Sequence, residues 1–241
     1  MSGTIPPQFQ GNHQTAKSND DDLCHQYTEF KLLVRSSFCR DISLQLEVIY
    51  FDVHNVNYTM VDKTDVVCSP TIYVGMTKKF ISYAIMDALR TQDLDFIIIF
   101  FPDLSRAWRT KMSNDKDLDV KFELYLTDLS LQIVPKCMET WCYRRWLYNR
   151  IDSAQIESPE IEWSLIYRSA KLHKCNYYAW EHARWLIQLA TGYSTFKFDR
   201  FEEIMKLNVT DCSIYSFASF VFFKFDNLLD SYALLSKNLI R

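Results

Sequence analysis

Lys136 follows Pro135 where a helix is expected to begin, and this is the first chemical signal in the sequence. A lysine beside the free N–H groups of a helix N-terminus makes a site for diphosphate oxygens, because ammonium and backbone dipoles act on the same negative charge. The plain alternative is a solvated lysine in a turn. Arg144, Arg145, His182 and Arg184 form a second group. They read either as surface ion pairs with nearby carboxylates, worth little when exposed, or as a face turned toward an acidic partner. Residues 136–184 hold eight Lys/Arg against six Asp/Glu in a chain of net charge −3, which tilts toward the partner reading. Cys137, Cys142 and Cys175 lie near His173 and His182 in sequence, but no pair has zinc-finger spacing. Small core thiols are the expectation, and no metal is expected on this chain. The sequence contains no P-loop, G-x-G-x-x-G, G-x-S-x-G or H-E-x-x-H, so it shows no self-contained active site.

These residues fall within a repeat. Trp141-Cys-Tyr-Arg-Arg-Trp146-Leu and Trp180-Glu-His-Ala-Arg184-Trp185-Leu both read W-x-[YH]-x-R-W-L. A degenerate copy surrounds Trp108, and a copy without tryptophan surrounds Tyr215. The four anchors are separated by 33, 39 and 35 residues. That period is the signature of stacked helix pairs, since one pair cannot bury its own apolar face. The indoles of Trp108, Trp141, Trp146, Trp180 and Trp185 are expected in the core of the repeats.

Composition agrees. Of 241 residues, 48% are apolar and 15% aromatic, which excludes a disordered chain, and only 4 are Gly, few for a turn-rich β-sandwich. No global basic field points to nucleic acid. Seven scattered cysteines without a C-x-x-C suggest reduced thiols and a cytoplasmic protein. No signal sequence is apparent, and the longest apolar run, 96–101, is far short of a membrane span.

Residues 1–22 are polar and aperiodic, the pattern of a disordered tail. Residues 23–76 are least legible: a short helix is expected over 24–38, and the alternation from Leu44 to His54 resembles strand. Residues 77–241 read as a helical-repeat domain. Helices are expected before Pro102, around Trp108, over 118–133, 141–148, from Pro159, over 180–189, 199–207, 212–225 and 228–236. The expected unit is an anchor helix followed by an amphipathic helix that covers it. The fold class is all-α, a right-handed superhelix of antiparallel helix pairs.

A tetratricopeptide array has a similar period, but it needs Gly four residues after Trp for close helix approach. Here Arg145 and Arg184 occupy that place. The motifs instead resemble the protein prenyltransferase alpha-subunit repeat, roughly P-K-N-Y-x-x-W-x-H-R-R-W. Pro135, Lys136, Trp141, Arg144, Arg145 and Trp146 match it, as do Asn176, Tyr177, Trp180, His182 and Trp185. The resemblance covers about residues 80–225 and, within the family, looks most like its divergent repeat-containing branch.

The resemblance implies an α-type subunit wrapped around a separate β subunit, of the Rab geranylgeranyltransferase type, that carries the catalytic zinc and the isoprenoid pocket. The implied activity is geranylgeranyl transfer to protein cysteines. It also implies that Lys136 stabilises the leaving diphosphate and that Tyr177 and Tyr178 lie near the same group. Two departures weigh against strict carry-over: the family's Asn-Tyr is Cys137-Met138 here, and Tyr178 stands where the farnesyl-type subunits have histidine. A non-catalytic helical-repeat scaffold is therefore the rival reading. The family normally continues with further helices, so an incomplete sequence, with the apolar segment 220–225 near its end, stands as a third reading behind these two.

Overall fold

The computed structural model describes residues 19–40, 43–49, 58–63, 71–114, 118–150, 159–189 and 195–224. Residues 1–18 of the expected tail over 1–22 and the expected helix over 228–236 lie outside these residues. In chain order the elements are α1 (Asn19–Cys39), β1 (Ser43–Ile49), β2 (Tyr58–Lys63), β3 (Thr71–Thr77), α2 (Lys78–Thr91), α3 (Leu94–Phe100), α4 (Ser105–Ser113), α5 (Val120–Ile133), α6 (Met138–Tyr148), α7 (Pro159–Leu172), α8 (Tyr177–Gln188), α9 (Phe198–Leu207) and α10 (Cys212–Lys224).

The protein is mostly helical, with one departure from the all-α expectation. Three strands before α2 form a small mixed sheet in the order β1-β3-β2, with β1 parallel and β2 antiparallel to β3. The alternation that reads as strand from Leu44 is real over Ser43–Ile49. Leu44, Leu46, Val74 and Met76 are buried on it, the period-two pattern of a half-buried sheet. Helix α1 begins at Asn19, inside the stretch expected to be tail.

Local chemistry sets the helix starts. Thr77 caps α2 by accepting the Phe80 N–H at 3.2 Å, and Asp119 caps α5 by accepting those of Lys121 and Phe122 at 3.1 Å each. Pro102 follows the end of α3 and Pro135 the end of α5, where a missing N–H and a ring clash stop helical bonding.

The helices form two rows. Anchor helices neighbour one another in the order α4, α6, α8, α10, and covering helices in the order α3, α5, α7. The hairpins are α5–α6 and α7–α8, so the unit is a covering helix, a tight turn, then an anchor helix. This shifts the phase of the expected unit, in which the anchor came first. The cause is connection length: four residues separate α5 from α6, whereas ten separate α6 from α7.

Two apolar clusters fill the space between the rows. The first joins Tyr27, Phe30, Phe80, Phe96 and Phe100 to the sheet and to Trp108, Leu126 and Tyr143. The second holds Trp141, Trp163, Trp180, Phe201 and Phe217. Helix α6 stands between them, giving Tyr143 to one and Trp141 to the other. Burying each large side chain contributes about 1.5–3 kcal/mol.

Candidate functional site

Two of the three anchor tryptophans do more than fill space. Trp108 Nε1 donates to the Pro102 carbonyl at 2.6 Å, and Trp141 Nε1 to the Pro135 carbonyl at 3.2 Å, each six residues back. Each indole thus fastens the turn that opens its own helix. Trp108, Trp141 and Trp180 are all buried, and Trp146 and Trp185 are half-buried at the cluster edges.

The N-terminal ends of the anchor helices line up along one edge, held from turn to turn. Asn176, the N-cap of α8, accepts the Ala179 N–H at 3.2 Å and donates through Nδ2 to the carbonyls of Pro135 at 2.7 Å and Ser169 at 3.3 Å. In the next repeat Asp211 makes the equivalent link, accepting the N–H groups of Ser213 and of Cys175, both at 2.9 Å. At the other end Ser105 donates to Glu139 at 2.9 Å, tying the start of α4 to that of α6.

Lys136 and Tyr177 are each one residue along from an end of the Asn176–Pro135 bond, so their backbones lie at the same edge. Tyr177 is exposed and Tyr178 is partly buried against the second cluster. Cys137 is buried at the N-cap of α6, and burial pushes its thiol up to about 11, so it is a neutral S–H donating to Glu139 at 3.6 Å. Among the described residues Asp103, Cys137 and Glu139 place ligand-type atoms within 4.8 Å of one another. Glu139 is already occupied there, accepting from both Cys137 and Ser105.

The four basic residues divide. Arg144 and His182 are buried and converge on Glu162 of α7, itself fully buried. Arg144 holds both carboxylate oxygens and also donates to Thr127 Oγ1 at 2.5 Å and the Leu124 carbonyl at 2.9 Å. The Tyr148 hydroxyl donates to Glu162 at 2.5 Å, and His182 Nε2 lies 2.9 Å from it. The imidazole lies between Trp141 and Trp185, ring centroids 4.9 and 5.0 Å away. The Arg144 guanidinium and the His182 donor hold the Glu162 carboxyl well below the carboxylate range despite its burial. Burial lowers the His182 imidazole, keeping it neutral with its proton on Nε2. The expectation that Arg144 and His182 face a partner is therefore corrected: the charge of Arg144 and the hydrogen bonds of both are directed inside the chain. Arg145 and Arg184 stay part-exposed, Arg184 bonded to Glu181 and to Ser216 at 2.8 Å.

A second cluster has the same plan. Glu123 of α5 accepts Lys111 of α4 at 2.6 Å and the Tyr143 hydroxyl of α6 at 3.0 Å, and Lys111 also reaches Asp95 at 2.7 Å. Glu123 and Glu162 are 39 residues apart, as are Trp141 and Trp180. In both clusters the carboxylate of a covering helix joins a cation on the preceding anchor helix to a donor on the following one. The next junction is apolar: Ala183, Phe201 and Phe217 occupy the three places, all buried, with the two phenyl rings edge-on at 5.2 Å.

Residues 120–151, which comprise α5, its turn and α6, match the family described as the protein prenyltransferase alpha subunit repeat. The chain carries that repeat. Residues 140–235, from α6 onward, match the ECM9 middle domain. No curated protein matches the chain.

The prenyltransferase repeat ends just past Trp146, and both ends of its hairpin belong to the buried glutamate clusters. Sequence reasoning missed Glu123, Glu162 and Lys111. The signal was present as a carboxylate recurring at the repeat's own spacing, in helices read only for their apolar stripes.

Proposed function

We propose that the chain is an α-type subunit of a protein prenyltransferase, acting in the cytoplasm and transferring a geranylgeranyl group to protein cysteines only when joined to a β subunit of the Rab geranylgeranyltransferase type. The observation that carries this reading is the prenyltransferase repeat over residues 120–151, with Lys136 at its turn. The β partner would bring the zinc and the isoprenoid pocket. This chain's contribution is electrostatic. Lys136, beside the opening turn of α6, offers an ammonium to diphosphate oxygens as charge develops on the leaving group. Tyr177 offers a phenol from the adjoining helix start. Arg145 and Arg184 remain as charges for the partner surface. No helix of the described residues is long and apolar enough to cross a membrane.

One observation favours a scaffold instead. Where the family motif has asparagine at the start of α6, Cys137 presents a buried neutral thiol bonded to Glu139. Co-expression with a β subunit, followed by size-exclusion chromatography with mass detection, separates the readings. The subunit reading requires a one-to-one complex that transfers geranylgeranyl, and Lys136→Ala should keep the complex and lose rate on the order of 10²-fold. A complex that never transfers, or a monomer indifferent to every β subunit, sinks it.

A further inference from the structure

Beside Tyr177, two thiols from successive repeats meet. Cys175, in the turn before α8, and Cys212, the first residue of α10, have their sulfurs 3.8 Å apart. Asp211 clips the backbones around them: one carboxylate oxygen accepts the Cys175 N–H at 2.9 Å, and the other accepts the Ser213 N–H at 2.9 Å. The Tyr177 hydroxyl lies 3.0 Å from the Cys212 sulfur. Cys212 is exposed and Cys175 half-exposed, so a reagent can approach.

We propose that Cys175 and Cys212 form a thiol pair that oxidises reversibly to a disulfide, taking low-molecular-weight disulfides of the glutathione type as oxidant. The roles of the two sulfurs differ. Hydrogen bonds from Tyr177 and Cys175 lower the Cys212 thiol, and its place at a helix N-terminus favours the thiolate further. The bond it gives to Cys212 raises Cys175. Cys212 is therefore the attacking sulfur and Cys175 the resolving one. The Cys212 thiolate attacks one sulfur of the small disulfide, forming a mixed disulfide and expelling one small thiolate. Cys175 loses its proton to solvent and attacks the Cys212 sulfur, forming the Cys175–Cys212 bond and expelling the second. Two protein thiols are oxidised, and one small disulfide is reduced to two thiols. The product ties the turn before α8 to the start of α10, so these two anchor helices become covalently linked at the edge that carries Lys136 and Tyr177. The inference rests on this geometry and not on the prenyltransferase reading.

The test treats the full chain with oxidised glutathione, traps remaining thiols by alkylation and maps peptides by mass. The expected product is a cross-linked peptide containing Cys175 and Cys212, abolished by dithiothreitol, with the melting midpoint raised by several degrees. Cys175→Ser should stop at a glutathione adduct on Cys212, formed several-fold faster than on the exposed control Cys24. Cys212→Ala should leave Cys175 unmodified. Circular dichroism on each variant confirms its fold, and the wild-type cross-link decides the matter even where a variant fails to fold. Adducts spread evenly over Cys24, Cys39, Cys142 and Cys212 without the cross-link, or a Cys212 no faster than Cys24 in the Cys175→Ser variant, overturn the proposal.

Discussion

Glu162 concentrates the electrostatics of α6 and α8 in one carboxylate. Removing a buried charge from such a set leaves the other uncompensated, a loss of about 3–5 kcal/mol. Glu162→Gln should therefore lower unfolding stability in urea by that amount, while Glu181→Gln, at an exposed pair, should change it by less than about 1 kcal/mol. The same site sets a pH dependence. Both Glu162 and His182 have folded values below their ordinary ones, so the unfolded chain binds more protons and stability falls with acid. The His182 contribution is complete above 6.5 and declines as pH falls below it. The Glu162 contribution is complete above 4.5 and declines further down. Urea midpoints measured across this range should show two successive losses, and His182→Gln should remove the first.

Helices are placed by their turns as much as by their apolar faces. Asn176 caps α8 and at the same time holds the Pro135 turn one repeat away, so its two functions can be separated. Asn176→Asp keeps the capping oxygen and removes the Nδ2 donor, setting a carboxylate against two carbonyls. It should destabilise more than Asn176→Ala, whose loss of the cap costs about 1–2 kcal/mol. An Asn176→Asp midpoint equal to that of the wild type would show that the clip contributes nothing. The apolar junction of Ala183, Phe201 and Phe217 tests the other way of joining repeats. Phe201→Ala should cost about 3–5 kcal/mol with little dependence on pH or salt, unlike Glu162→Gln.

At the scale of the whole molecule, the small sheet is joined to the repeats by its buried apolar face and by the hydrogen bonds of Gln132. Gln132 of α5 accepts the Leu46 N–H at 2.6 Å and donates to the Leu44 carbonyl at 3.0 Å, standing in for a neighbouring strand along the free edge of β1. Gln132→Ala should expose that edge. Hydrogen exchange would then show the Leu46 amide losing protection while amides in α7 and α8 keep theirs; unchanged exchange at Leu46 would mean that the sheet is held by its apolar face alone.

Much of this was legible in the linear chain. The recurrence of Trp141 and Trp180, the halts at Pro102 and Pro135 and the apolar stripes placed the helices from 77 onward, because period and propensity act over a few residues. Lys136 could be singled out by its position at a helix start, and Tyr177 by the family motif it matches. What the sequence did not disclose depends on what faces what. Arg144 and Arg145 are adjacent and chemically alike, yet one is buried on Glu162 and the other reaches solvent, because consecutive residues on a helix point about 100° apart. Cys175 and Cys212 are 37 residues apart, and only the stacking of α8 on α10 brings their sulfurs together. Sequence by itself determined the repeat and its helices; the tertiary structure alone decided which charges were buried and which thiols met, since both depend on the register between repeats.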